Sequence, residues 1–166
     1  MTESEIQAQI LSACEKVYAW YVWPATDGNV SSRTKMSHKR NLFTPSGRSR
    51  AFFSTDEWTV ADRDGSGVDG MPYAEHGMHL MIDHPRPHAL PTVHAHPPPA
   101  VGRSRMRLDL RELPNGHLED IVRSRHGAVC WGESLEEALS GMKRLNTART
   151  KTETEARRSM IGENPQ

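Results

Sequence analysis

Apolar residues recur at helical spacing near the start of the chain. Ile6, Ile10, Leu11, Cys14, Val17 and Tyr18 fall at i, i+3, i+4 and i+7 intervals and predict a helix over residues 4–20. Thr2 and Ser4 are its candidate N-caps. Trp23-Pro24 follows the helix, and Asp27-Gly28-Asn29 is a turn signal that leads into a candidate strand, NVSSR. The polar run SHKRNLFTPSGRSR then reads as a connection with a second turn at Thr44-Pro45-Ser46-Gly47. A short strand is expected over Trp58 to Ala61, closed by a Gly-Asp turn. Residues 74–83 read as a helix ended by Pro85 and Pro87, although Gly77 weakens it. LPTVHAH, residues 90–96, reads as a strand stopped by Pro97-Pro98-Pro99. MRLDLREL alternates apolar and polar positions like a strand, and a further strand pair is expected around DIVRSRHGAVCWG. Ser134, with Glu137 three residues on, forms a capping-box signature for a last helix from Leu135 past Arg157. Strands interspersed with helices predict a single α/β or α+β domain over residues 1–158, with 159–166 as a flexible tail.

Composition narrows the function classes. Lys+Arg and Asp+Glu are both 21, so the chain lacks the basic excess of a nucleic-acid binder. A small anionic substrate needs only a local site and stays open. No apolar run approaches a membrane span. The opening MTESEIQAQI has neither a basic nor an apolar leader region, and a cytoplasmic location is expected. Cys14 and Cys130 form no metal or redox motif and are expected to be reduced, buried thiols. Trp20, Trp23, Trp58 and Trp131 are expected in the core or at an interface.

Histidine is the unusual component. Of 9 in the chain, most lie between His76 and His96. His94 and His96 are two apart on a predicted strand, so their side chains leave the same face and can reach one ion. His126, before Gly127 at a strand–turn junction, is the candidate third ligand. Three protein ligands with an open position suit a catalytic zinc site, whereas a structural site would want a fourth. His76, His79, His84 and His88 are rival ligands, while His38 and His117 read as surface residues. Glu75 opens the predicted helix 74–83, where it is either a dipole-stabilised surface carboxylate or, if it faces the ion, a general base.

Four blocks, in order, carry a resemblance to the class II aldolase/adducin family. They are PATDGNVSSR (24–33), FTPSGR (43–48), PYAEHGMHLMIDHPRPHALPTVHAHPPPA (72–100) and RSRHGAVCWGESLEEAL (123–139). The resemblance implies α/β/α layers around a central, mostly antiparallel sheet, and a homo-oligomer, a tetramer in many members. It implies a divalent metal on His94, His96 and His126, zinc in the first instance with iron or manganese as alternatives, and Glu75 as acid/base. By position it makes Thr26, Asn29, Ser46 and Gly47 substrate-binding residues matching the family's phosphate loops. The implied activity is that of a lyase, aldolase or dehydratase, on a small carbonyl/hydroxy substrate through a metal-stabilised enediolate. A decarboxylase, a non-haem iron oxygenase or a non-catalytic adducin-like interaction domain are the alternatives. Three features depart from the family. Asp27 stands where a Ser or Thr is usual, and Tyr73-Ala74 stand where two small hydroxyl residues are usual. Segment 97–125 is short and holds no tyrosine proton donor. A carboxylate at position 27 would repel a phosphate, which favours a carboxylate or neutral carbonyl substrate.

Overall fold

The computed structural model describes residues 2–20, 27–34, 40–47, 53–54, 57–70, 74–83, 85, 91–101, 121–122 and 126–147. The first helix, α1 (Glu3–Ala19), starts at a reciprocal cap. Thr2 Oγ1 accepts the Glu5 N–H at 3.3 Å and Glu5 Oε2 accepts the Thr2 N–H at 2.7 Å. Such a cap contributes about 1 kcal/mol. The helix buries the expected stripe, Ile6, Ile10, Ala13, Cys14 and Val17.

Among the described residues six strands follow: β1 (Asn29–Arg33), β2 (Arg40–Phe43), β3 (Thr59–Asp62), β4 (Thr92–Ala95), β5 (Ile121–Val122) and β6 (Ala128–Trp131). They form one sheet in the order β3-β2-β1-β4-β6-β5, every adjacent pair antiparallel. β2 corrects the sequence reading, which made that run a connection. Only Leu42 and Phe43 are apolar there, but β1 and β3 pair with it on both sides, and the ladder overrides the polar composition. The strand expected at Trp58–Ala61 is shifted by one residue. MRLDLREL, the last helix beyond Thr147 and the tail 159–166 lie outside the described residues.

The layers follow from strand alternation. One face of the sheet presents Val30, Leu42, Val93, Ala95, Ala128 and Cys130 to α1 and to the last helix, α3 (Leu135–Thr147). α3 contributes Leu135, Ala138, Leu139, Met142 and Leu145, the stripe expected from sequence. Ser134 Oγ accepts the Glu137 N–H at 3.2 Å, as expected of the cap, but the Glu137 carboxylate reaches the Glu133 N–H, not that of Ser134. Both cysteines are buried, as the sequence suggested, and no disulfide links them. Helix α2 (His76–Asp83) covers the opposite face, packing Ile82 and Met78 against Val129 and Trp131, and Leu80 against Phe43 and Ala61. The chain is therefore an α/β/α sandwich around an antiparallel sheet. No described helix is long and apolar enough to cross a membrane.

Between β1 and α2 the contact is polar and regular. Asn29, Ser31 and Arg33 project from one face of β1 toward Glu75, His79 and Asp83, four residues apart along the segment that becomes α2. Asn29 Nδ2 donates to Glu75 Oε2 at 2.9 Å, and Ser31 Oγ lies 2.7 Å from His79 Nδ1. Arg33 Nε donates to Asp83 Oδ2 at 3.1 Å, and its Nη2 to the Asp83 carbonyl at 2.7 Å. Two strand residues advance about 6.6 Å and four helical residues about 6 Å, so three rungs stay nearly in step. Burial holds the His79 pKa well below its ordinary value, so the ring is neutral in this ladder. Arg33 and Asp83 are 2% and 5% exposed. Removing one member strands a buried charge, so Asp83→Ala is expected to cost about 3–5 kcal/mol. Urea unfolding checks this, and a loss below about 1 kcal/mol, the range of a surface pair, would show that the ladder does not anchor α2.

Candidate metal centre

The candidate centre forms where β4 ends beside the starts of β1 and β6. The β1–β4 register sets Asn29 opposite His94, and β4–β6 sets Val129 opposite His94. His94 is fully buried, and its Nδ1 donates to the Ala128 carbonyl at 2.9 Å. That bond leaves the Nε2 lone pair directed at the cluster. His96, just past the strand, brings its Nε2 to 3.2 Å from His94 Nε2. The His126 ring stacks on His94 at 5.3 Å between centroids and meets His96 edge-on at 4.7 Å. One ligand atom from each of the three histidines lies within 4.8 Å of the others. Glu75 Oε1 closes the group, 3.0 Å from His126 Nε2 and 3.8 Å from His94 Nε2.

Two observations show that this set fits a divalent cation. With Nδ1 of His94 committed as a donor, Nε2 is an acceptor, and crowding it with two further imidazoles and a carboxylate suits a cation between them. Gly127 is the second. Continuing the β4–β6 register places it opposite His96. A Cβ there would lie 2.7 Å from the Ala95 carbonyl and 2.8 Å from His94 Cε1, and closer still to the His96 ring. The rings occupy the space that a side chain would take.

The electrostatics agree with neutral donors beside an ionised carboxylate. Burial lowers the His94 pKa to about 4, against the partial support of its bond to Ala128. Burial also lowers that of His96, opposed by Asp27 and Glu75. For Glu75, burial pushes the pKa up, but the His126 hydrogen bond, the facing His94 and the Asn29 amide together outweigh it and hold it below the ordinary value. At neutral pH the buried His94 and half-buried His96 need shed no proton to accept a cation.

Of the other sequence candidates, Asn29 joins the site by donating to Glu75, and its Oδ1 is buried without a hydrogen-bond partner among the described residues. Ser46 and Gly47 form the turn after β2, with Gly47 at φ +68°. Thr26, His38, His84, His88 and His117 lie outside the described residues. His79, a rival ligand by sequence, belongs to the ladder under β1 instead. Sequence reasoning missed two contacts of the cluster. Asp27 Oδ2 is 3.5 Å from His96 Nδ1, and Ala128 contributes a backbone carbonyl. Neither has a local motif; only the strand pairing brings them in.

A family model described as "Class II Aldolase and Adducin N-terminal domain" matches residues 8–124. The chain belongs to this family. Among solved structures it is similar to L-fuculose-1-phosphate aldolase from Thermus thermophilus, with 22% identity, a TM-score of 0.73, and 95% of this chain and 97% of that one covered. It is also similar to YgbL, a putative aldolase/epimerase/decarboxylase from Klebsiella pneumoniae, with 18% identity, a TM-score of 0.76, and coverage of 100% and 93%. A sugar-phosphate aldolase from Thermotoga maritima gives 17% identity, a TM-score of 0.70, and coverage of 97% and 99%. No curated protein sequence matches the chain. At these identities the structural matches establish the fold of the class II aldolases, while membership in the family rests on the sequence model.

The packing at Gly127 makes the centre sensitive to a single methyl group. Gly127→Ala is expected to lower stability by about 1–3 kcal/mol through overpacking and to displace the His94 and His96 rings, so that zinc uptake falls. Thermal unfolding and zinc titration measure the two effects. Wild-type values for both would mean that the rings are not held as described.

Proposed function

We propose that this protein is a metal-dependent lyase of the class II aldolase type. In this reading His94, His96 and His126 hold one divalent cation, zinc in the first instance. The observation that carries it is the convergence of three imidazoles within 4.8 Å, with the Glu75 carboxylate at their edge. Family membership supports the reaction class. A non-catalytic adducin-like domain would have no need of three ring nitrogens converging beside a carboxylate held ionised.

When bound, the cation supplies Lewis acidity to a substrate carbonyl and its neighbouring hydroxyl. The chain's own residues supply the rest. Glu75, ionised at neutral pH, takes a proton from carbon or hydroxyl beside the carbonyl and returns it in the reverse direction. Asn29 holds one carboxylate oxygen of Glu75 through its amide and leaves the other toward the histidines. The fixed His94 ring, tied to Ala128, keeps its donor atom on the cluster without rearrangement. Carbon–carbon cleavage or loss of water are the two outcomes that follow such a proton transfer.

The substrate in this reading is a small hydroxy-carbonyl compound without a phosphate next to the site, because the Asp27 carboxylate stands beside His96. Assembly as a homo-oligomer is part of the same reading.

Proton exchange tests the role of Glu75 without knowledge of the natural substrate. Zinc-loaded protein in D2O should exchange the methylene protons of dihydroxyacetone, followed by NMR. Glu75→Gln should slow exchange by about 10²–10⁴-fold while zinc content is unchanged. Equal rates in the two proteins would remove Glu75 from the chemistry.

A further inference from the structure

Two imidazoles of the cluster present Nε2 to it, and each must therefore carry its proton on Nδ1. For His94 the acceptor is the Ala128 carbonyl. For His96 the group at Nδ1 is the Asp27 carboxylate, with Oδ2 at 3.5 Å. This pairing follows from the sheet. The β1–β4 register sets Asn29 opposite His94, and continuing it two residues brings Asp27 opposite His96 on the same face. The distance is longer than the optimum of about 2.7–3.2 Å. The Asp27 side chain is 52% exposed, which leaves its carboxylate room to rotate.

We propose that Asp27 is a positioning residue of the metal centre: its carboxylate accepts the His96 Nδ1–H and so fixes the ring orientation and tautomer that present Nε2 to the cation. The inference rests on the assignment of His96 as a ligand. A neutral His96 has one N–H. With that proton on Nε2, the 3.2 Å contact to His94 Nε2 would be a hydrogen bond that occupies both donor atoms, and the Nδ1 lone pair would face a carboxylate. With the proton on Nδ1, the carboxylate is satisfied and both Nε2 lone pairs are available. A carboxylate also raises the basicity of the imidazole it accepts from, which strengthens the ligand. The same negative charge disfavours an anionic group on the substrate side of His96. Asp27 thus links metal retention to substrate choice through one side chain.

Metal affinity reads this role directly, without turnover. Zn2+ and Co2+ dissociation constants would be measured on the full chain by competition with a chromophoric chelator, for wild type, Asp27→Asn, Asp27→Ala, Asp27→Glu and His96→Ala. Far-UV circular dichroism checks that each variant is folded. Asp27→Asn and Asp27→Ala are expected to bind about 10–100-fold more weakly, the range for loss of a ligand's orienting partner. Asp27→Glu, which keeps the carboxylate, should recover most of that loss, and the Co2+ visible spectrum of Asp27→Asn should differ from wild type. Affinity of Asp27→Asn within twofold of wild type, with His96→Ala having lost the metal, would overturn the role of Asp27 alone. Wild-type affinity in His96→Ala as well would overturn both this proposal and the assignment of the metal centre.

Discussion

The antiparallel register of β1 against β4, with Asn29 facing His94, decides which side chains can meet at the candidate centre. On one face of β1 it sets Asn29, Ser31 and Arg33 against the segment that carries Glu75, His79 and Asp83. Along β4 it sets His94 on that same face, and its continuation brings Asp27 to His96. A slip of β1 by one residue would send Asn29, Ser31 and Arg33 to the α1–α3 side and bring Val30 into the polar layer. The register is therefore held by burial on both faces. Val30 and Val93 fix it from the apolar side, and the ladder to α2 fixes it from the polar side.

The ladder has a consequence for the proposed chemistry of Glu75. A carboxylate that moves protons must be placed within a few tenths of an ångström, and long side chains at helix starts are rarely that well held. Here Glu75 precedes a helix whose next turns are tied to β1 through His79 and Asp83. Asn29 then holds the carboxylate itself. Polar groups buried in a core cost free energy unless they find partners, and the rungs pair the Asn29 amide nitrogen, the Ser31 hydroxyl and the Arg33 guanidinium. The contact between β1 and α2 is polar, flanked by the apolar contacts of α2 with β2, β3 and β6, whereas the interior beneath α1 and α3 is apolar.

Much of this was legible in the sequence, in proportion to how local the signal was. The stripes of α1 and α3 and the H-x-H pair at residues 94 and 96 are periodic patterns carried by contiguous residues; the structure buries the stripes and brings the two rings together. β2 was not legible, because its strand character comes from neighbours on both sides and not from Arg40 and Asn41. His79 looked like one more loose histidine in a histidine-rich stretch, and only the tertiary position of Ser31 shows it to be a core group. Asp27 read as a departure from the family loop; its relation to His96 spans strands far apart in sequence. Gly127 read as a turn residue, while its role is to leave room for two rings.

Metal content tests most directly whether the three histidines hold an ion. Untagged protein, purified without added metal, would be analysed for bound elements beside the double variant His94→Ala/His96→Ala. The expected result is about one divalent cation per chain in the wild type, the occupancy of a single three-ligand site, and none retained in the variant. A folded wild-type protein that carries no metal and takes none up on addition of zinc, iron or manganese would contradict it.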